Sequence, residues 1–199
     1  MVLDYAAGGN MSRALHKEKK FTEDKAKMYL AEILLALEDL HKKDVIYRDL
    51  KPDNIVFDSQ GHALLTDFGL SKEDVMDDSM AKSFCGSPAY LAPEMLKRTG
   101  HGKPIDWYLL GVLLYEMLVG IPPYFSNNKD QLYENIKSGP LKLPSFLSEE
   151  ARSLLKALLT RDPKKRLGSG PKGVGEIKEH IFFQDLDWTK AENRELAVP

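Results

Sequence analysis

Segment 47–54 of this 199-residue sequence, YRDLKPDN, contains residue types that can handle a phosphate group. Asp49 and Lys51 lie two residues apart in this segment, Asn54 ends it, and a second acid, Asp67, begins the triplet DFG further along the chain. An amide oxygen and a carboxylate suit a hard cation such as Mg²⁺. Phosphoryl transfer needs a metal on the phosphates, a base for the attacking hydroxyl group and a cation for the developing charge. These residue types therefore predict a phosphoryl-transfer site.

Two short strands are predicted to bring these residues together. Strand-like runs at 54–57 and 63–66 are joined by the sequence DSQG, which favours a turn. A hairpin places the residue before its first strand and the residue after its second strand at the same end, so Asn54 and Asp67 should converge. The alternative is that Asp49, Asn54 and Asp67 are ordinary turn residues. That alternative does not explain why all three cluster with a lysine.

The rest of the chain predicts helices around this hairpin. Thr22 is a good N-cap, followed by acids and then by apolar residues at helical spacing as far as Leu40. Segment 104–120 is apolar nearly all round, which predicts a buried helix. Segments 129–138 and 148–160 predict amphipathic helices, 176–180 predicts a short one, and 71–91 predicts a long loop. We therefore expect a single α+β domain that is mainly α-helical.

With the triplet APE at 92–94, these segments resemble the signature motifs of protein kinases, and their common order makes the match specific. Tyr47 before Arg48 and the run SFCGSPAYL at 83–91 resemble the serine/threonine kinases of the AGC group, and the likeness extends to about Trp188. It implies a kinase C-terminal lobe with a small β-hairpin and no N-terminal lobe. Residues 1–7 would be a remnant of the last N-terminal-lobe strand and the hinge. Residues 8–188 would form the lobe, with a catalytic loop at 47–54 and an activation segment at 67–94, and 189–199 would begin the C-terminal tail.

The resemblance implies roles for the residues of the candidate site. Asp49 would accept or orient the substrate hydroxyl proton and Lys51 would neutralise the transferred phosphoryl group; Ser87, like Lys51, matches the serine/threonine-specific pattern. Mg²⁺ would be held by Asn54 and Asp67. The residues expected to contact ATP are Asp4, Ala6, Val56 and Thr66.

The resemblance also implies residues for regulation, substrate choice and architecture. Ser83 would be an activating phosphosite paired by Arg48 and Lys72, the alternative being a plain loop serine. Acids would bind basic residues of the substrate upstream of the target hydroxyl group. Apolar residues would form the pocket for the substrate residue that follows the target. The acids are Asp53 and Glu116, and the apolar residues are Phe84, Pro88 and Leu91. Architectural roles would fall to Glu94 with Arg166, as a buried ion pair, and to Asp106, as the brace of the catalytic loop.

Bulk composition excludes several other classes of protein. The net charge is −2 and the isoelectric point about 6.2, so there is no global basic field for nucleic acid or an anionic membrane. The single cysteine, Cys85, excludes an intramolecular disulfide and a cysteine-built metal site. The longest apolar stretch, 107–119, is too short to span a bilayer and is interrupted by Gly111 and Glu116. Without an apolar leader segment, these features predict a cytoplasmic or nuclear protein with no membrane segment.

The function implied is a protein serine/threonine kinase that transfers the γ-phosphate of ATP, with Mg²⁺, to protein substrates carrying basic residues upstream of the serine or threonine. An upstream activating kinase would be a second partner. The glycine-rich loop, the strand lysine and the helix glutamate of the family have no counterpart in these 199 residues. We therefore expect the chain alone to be weakly active or inactive. The alternative is a non-catalytic lobe that binds protein partners as a scaffold or decoy.

Overall fold

The computed structural model describes residues 6–69, 71, 88–97 and 99–198. These residues form helices and one two-stranded antiparallel sheet. In chain order the elements are α1 (Met11–Glu18), α2 (Glu23–Lys42), β1 (Ile55–Phe57), β2 (Ala63–Leu65), α3 (Pro93–Lys97), α4 (Pro104–Val119), α5 (Lys129–Ser138), α6 (Glu149–Leu158), α7 (Val174–Lys178) and α8 (Trp188–Glu192), with 3-10 turns at Pro52–Asn54, Pro88–Tyr90 and Ile181–Phe183.

Helix α4 runs through the core and packs against α2 and α6. Its sequence is apolar on every side, and 13 of its 16 residues are buried, as its composition predicts. Gly111 lets α6 approach closely, because a Cβ atom there would lie 2.8 Å from the Cβ atom of Leu158. The helix ends at Gly120, whose φ of +90° is a left-handed conformation that favours glycine.

Helix α2 begins where its capping residue predicts. The hydroxyl of Thr22 accepts a hydrogen bond from the backbone N–H of Lys25 at 3.3 Å, and acids occupy the first turn. The helix packs on α4 and also contacts β2 and α8. It therefore links the core to the hairpin.

The hairpin has the register Ile55↔Leu65, Val56↔Leu64 and Phe57↔Ala63. Its strands are one residue shorter than predicted, at the end nearest the candidate site. The preceding chain lies beside β1, because Gly8 N–H donates to Phe57 O (3.0 Å) and Phe57 N–H donates to Gly9 O (2.9 Å).

Helices α1, α3 and α8 were not predicted from the sequence, and α7 is shifted from its predicted position. Helix α1 was not predicted, because it is short and mostly polar; its cap is Asn10, which accepts from Arg13 N–H at 2.9 Å, and it buries Met11 and Leu15. Helix α7 begins two residues before the predicted start and ends two residues before the predicted end. In the part of the chain that is described, no helix has both the length and the apolar character needed to cross a membrane.

Candidate active site

The 47–54 segment is held at its start by a buried carboxylate on α4. Asp106, which is fully buried, accepts hydrogen bonds from the backbone N–H groups of Tyr47 (2.9 Å) and Arg48 (2.8 Å). His41 Nε2 lies 2.7 Å from the same carboxylate. Arg48 has a φ of +66°, a left-handed conformation that a non-glycine residue rarely adopts. The carboxylate therefore holds this part of the backbone in a strained shape.

Within the segment, Asp49, Lys51 and Asn54 form one hydrogen-bonded cluster. Lys51 Nζ donates to both carboxylate oxygens of Asp49, at 3.0 and 2.8 Å. Asn54 Nδ2 donates to the backbone oxygen of Asp49 at 2.9 Å and to its Oδ2 at 2.7 Å. Because Nδ2 faces Asp49, the amide oxygen of Asn54 is turned away from it and can accept a cation. Asp49 and Asn54 are buried and Lys51 is half-buried.

The hairpin brings Asp67 to the same end as Asn54. Thr66, which precedes Asp67, donates from its backbone N–H to Asn54 O at 2.9 Å and from its hydroxyl to the same oxygen at 3.2 Å. Asp67 has a φ of +56°, is exposed, and accepts a hydrogen bond from Gly69 N–H at 3.2 Å. The predicted convergence of the two side chains therefore has a backbone basis in these hydrogen bonds.

The donor set fits Mg²⁺ rather than a metal that takes nitrogen or sulfur ligands. Asn54 and Asp67 offer one amide oxygen and one carboxylate, and Mg²⁺ is commonly held by one or two such groups together with waters and phosphate oxygens. Among the described residues, no group of three or more His, Cys, Asp or Glu side chains is arranged to hold a metal ion. With two protein ligands, the rest of the coordination would come from waters and phosphate oxygens.

Tyr47 contributes a contact that sequence reasoning missed. Its side chain is fully buried, and its hydroxyl donates to the backbone oxygen of Thr66. Burial, reinforced by the negative charge of Asp49, raises the pKa of the Tyr47 hydroxyl, so that it stays a donor at neutral pH. Its ring meets Phe68 edge-on, with centroids 5.6 Å apart. The only signal in the sequence was an aromatic residue before Arg48.

Glu116, near the end of α4, is a half-buried acid in an unfavourable environment. Burial raises the pKa of its carboxyl group to about 7, and the negative charge of Asp53 adds to this effect. Its Oε2 atom is buried and has no hydrogen-bond partner among the described residues. Asp53 is exposed. Together these two acids form a region of negative charge. A cation bound there would compensate the Glu116 carboxylate for the water contacts that it loses by burial.

A buried ion pair ties α3 to the segment after α6. Arg166 donates to both carboxylate oxygens of Glu94, at 2.7 and 3.0 Å, and also to the backbone oxygens of Thr160 (2.9 Å) and Pro104 (2.6 Å). The guanidinium carbon lies 5.0 Å from the ring centroid of Tyr108. A bidentate pair with these additional bonds is the geometry in which a buried arginine is well satisfied.

The remaining predicted residues divide into described and undescribed ones. Ala6 and Val56 are half-buried, Pro88 is exposed in a 3-10 turn, and Leu91 is buried. The predicted residues that lie outside the described part of the chain are Asp4, Lys72, Ser83, Phe84 and Ser87. Their implied roles stay predictions.

Comparison with known proteins identifies the family. Residues 1–183 match the model described as "Protein kinase domain". The chain belongs to this family. It is 51% identical over 198 residues to Protein kinase 2 of Dictyostelium discoideum, 48% identical over 199 residues to human Ribosomal protein S6 kinase alpha-3, and 47% identical over 199 residues to Ribosomal protein S6 kinase beta of Caenorhabditis elegans. The resemblance to AGC-group protein kinases stated from the sequence is confirmed.

The chain is covered completely in these three comparisons but spans only 41%, 27% and 36% of the relatives' own lengths. What the whole relatives do is therefore a basis for proposals about this chain. The geometry of the described residues has to carry those proposals.

Proposed function

We propose that this chain is the C-terminal, substrate-binding lobe of a protein serine/threonine kinase. The observation that carries the proposal is the cluster of Asp49, Lys51 and Asn54, built on a segment held by Asp106 and lying at the same hairpin end as Asp67. A base, a cation and two oxygen ligands are the parts that phosphoryl transfer to a hydroxyl group requires. A relative from Dictyostelium discoideum that is 46% identical over 199 residues is named as a probable serine/threonine-protein kinase, which supports the choice of acceptor.

In this proposal the catalytic residues act on the acceptor hydroxyl group and on the transferred phosphoryl group. The Asp49 carboxylate orients the serine or threonine hydroxyl and receives its proton as the oxygen attacks the γ-phosphorus of ATP; the bond from that phosphorus to the β–γ bridging oxygen breaks, and ADP leaves. Lys51 stays beside Asp49 and neutralises charge on the transferred group. Asn54 and Asp67 hold Mg²⁺, which when bound neutralises phosphate charge and aligns the phosphates.

Substrate choice follows from the acids near the site. Glu116 Oε2 has no hydrogen-bond partner within the described part of the chain, and a lysine or arginine of the substrate would supply one. Desolvated charge pairs contribute more to specificity than exposed ones, so Glu116 should matter more than the exposed Asp53. The proposed substrates are therefore proteins with basic residues shortly before the target serine or threonine.

The test uses the 199-residue chain, MgATP and a serine peptide with arginine two residues before the serine. We expect peptide binding that is weakened by Glu116→Gln, together with phosphate incorporation far below the family's range of about 1–100 per second. Asp49→Asn should abolish this incorporation. Glu134→Gln, an exposed acid on α5 paired with Lys137, is the matched control and should change neither quantity.

Two results would change the proposal in different ways. Peptide binding without any transfer, in the wild type as in Asp49→Asn, would favour the scaffold or decoy alternative. Failure to bind both the basic peptide and the metal–nucleotide complex would contradict the proposed function itself.

A further inference from the structure

A buried contact joins the middle of α2 to the turn end of the β1–β2 hairpin. Glu32 and His62 are 8% and 4% exposed, and Glu32 Oε1 lies 2.5 Å from His62 Nδ1. Glu32 Oε2 accepts a hydrogen bond from the backbone N–H of Ala63 at 2.7 Å. Both oxygens of one carboxylate are therefore bonded to consecutive residues of the hairpin. Two such bonds restrict sliding of β2 along α2 as well as rotation about a single contact.

The turn that presents His62 is itself well defined. Asp58 Oδ1 accepts from the backbone N–H groups of Gln60 (2.8 Å) and His62 (3.0 Å), and Asp58 N–H donates to His62 O at 3.0 Å. Gly61 has a φ of +92°, a conformation that suits glycine. A shift of β2 relative to α2 would therefore carry the whole turn with it.

The other end of the hairpin bears the two candidate metal ligands, and they are anchored differently. Asn54, before β1, is fixed by its own bonds to Asp49. Asp67, after β2, is exposed, and its carboxylate accepts a hydrogen bond from Gly69, two residues further along the same backbone. The position of Asp67 relative to Asn54 therefore depends on where β2 lies and on the two hydrogen bonds that Thr66, directly after β2, donates to Asn54 O. Ala63 is four residues from Asp67, about 13 Å along an extended strand.

We propose that Glu32 and His62 are positioning residues for the metal–nucleotide site: by fixing β2 along α2, they stabilise the Thr66–Asn54 hydrogen bonds that keep Asp67 beside Asn54. The inference rests on the proposed function, because Asn54 and Asp67 matter only if they bind a metal. If a metal-binding oxygen is displaced by about 1 Å, it binds and aligns the metal much less well. Removing a residue that hydrogen-bonds to a metal ligand, without contacting the metal itself, commonly weakens metal affinity by about 10–100-fold.

The loss variant is Glu32→Met, which keeps an unbranched side chain of similar length but removes both acceptors. Glu32→Gln is the conservative variant, because its amide oxygen can accept from Ala63 and its amide N–H can donate to the neutral His62 ring. Glu38→Met is the matched control. Glu38 lies on the same helix, and its carboxylate pairs with Lys178 on α7 (2.6 Å) and Lys42 (3.2 Å) rather than with the hairpin.

The first measurement is the affinity of each variant for Mn²⁺ together with a non-hydrolysable ATP analogue, followed by electron paramagnetic resonance of free Mn²⁺. We expect Glu32→Met to bind about tenfold more weakly than wild type, and Glu32→Gln and Glu38→Met to bind within about twofold of it. Affinity for the basic serine peptide should be unchanged in all three, because Glu116 and Asp53 lie on other elements. A loss of peptide and metal affinity together would show general destabilisation and would overturn the proposal.

The second measurement needs no nucleotide. The amide of Thr66 donates to Asn54 O at 2.9 Å and reports the site end of the hairpin, whereas the amide of Leu113, in the middle of α4, reports global unfolding. In Glu32→Met, hydrogen exchange at Thr66 should accelerate about tenfold more than at Leu113. Equal acceleration at both positions, or the same response in Glu38→Met, would refute the positioning role. His62→Ala gives a second loss variant from the other side of the contact if Glu32→Met does not fold.

These two measurements separate the inference from the function on which it rests. If the wild-type chain bound neither the Mn²⁺–nucleotide complex nor the basic peptide but Thr66 responded as expected, the proposed function would fail and the positioning of the hairpin end would stand. If the wild type bound the complex and Glu32→Met bound it equally well, the function would stand and the positioning role would be wrong.

Discussion

Replacing Glu116 by glutamine should stabilise the protein at neutral and alkaline pH. Burial is the main cause that raises the pKa of this carboxyl group from 4.5 to about 7. Between pH 4.5 and about pH 7, the folded protein therefore keeps a proton on Glu116 that the unfolded chain has lost. Where the folded state binds more protons, stability falls as the pH rises. The wild type should therefore lose stability between about pH 4.5 and pH 7, and the cost should persist above pH 7.

The size of this cost follows from the shift. A tenfold change in proton affinity is worth about 1.4 kcal/mol, so moving the pKa from 4.5 to about 7 corresponds to at most about 3 kcal/mol at pH 8. Because the side chain is only half-buried, solvent screening reduces this figure, and we expect about 1–3 kcal/mol. Glutamine carries no charge at any pH. Glu116→Gln should match the wild type near pH 4 and exceed it by this amount at pH 8.

The assay is urea unfolding of both proteins at intervals from pH 4 to pH 8, with the free energy of unfolding extrapolated to zero denaturant. Glu134→Gln, on the exposed surface of α5, controls for the loss of one negative charge and should show no such dependence. If wild type and Glu116→Gln kept a constant difference across the whole pH range, the reasoning from burial would be refuted. Weaker binding of the basic peptide at pH 8 should accompany the gain in stability, because the same carboxylate is proposed to receive the substrate cation.

Three other substitutions test the framework around the site by urea unfolding at pH 7. Asp106→Asn presents an N–H group to one of two backbone donors and should lower the free energy of unfolding by about 2–4 kcal/mol; a loss below 1 kcal/mol would contradict the bracing role. Arg166→Ala leaves Glu94 buried and unpaired and should lower it by about 3–5 kcal/mol, and the double variant with Glu94→Leu should recover much of that loss. Thr22→Ala removes the cap bond to Lys25 and should lower it by about 1 kcal/mol, whereas Thr22→Ser should be nearly neutral.

The sequence predicted those parts of the structure that depend on local chemistry. The capping residue Thr22 and the apolar composition of α4 located two helices correctly, and the turn sequence DSQG located the hairpin. Helix α1 escaped prediction because eight mostly polar residues with two buried side chains carry little periodic signal. Its helical state depends on burying Met11 in the core, which is a tertiary effect.

The contacts that sequence reasoning missed join residues far apart in the chain. His41 and Asp106 are 65 positions apart, and Glu32 and His62 are 30 positions apart. No periodicity or turn pattern links such residues, and a histidine in a helix has the same local pattern whether it faces solvent or a carboxylate. The motif around Asp49 could be predicted from the sequence, and its brace, Asp106, from the resemblance, but the contact of His41 with Asp106 could not.

The two halves of the candidate site therefore draw their geometry from different sources. The segment with Asp49, Lys51 and Asn54 is held by backbone hydrogen bonds to Asp106. Asp106 lies at the start of α4, a helix that is buried on nearly every side. Any folded state that keeps α4 in the core also keeps this half in shape. Among the described residues, the Asp67 side chain has no comparable bond to the core. Asp67 follows β2, which is held by Glu32 on α2 and by the bonds of Thr66 with Asn54 and Tyr47. Because the proposed base and its lysine are fixed by the core while one proposed metal ligand follows the hairpin, we expect a change at the hairpin to alter metal binding without disturbing the base. Variants of Glu32 and of Asp106 should accordingly differ in kind: the first should change metal affinity while leaving the segment with Asp49 in place, and the second should disturb that segment as well.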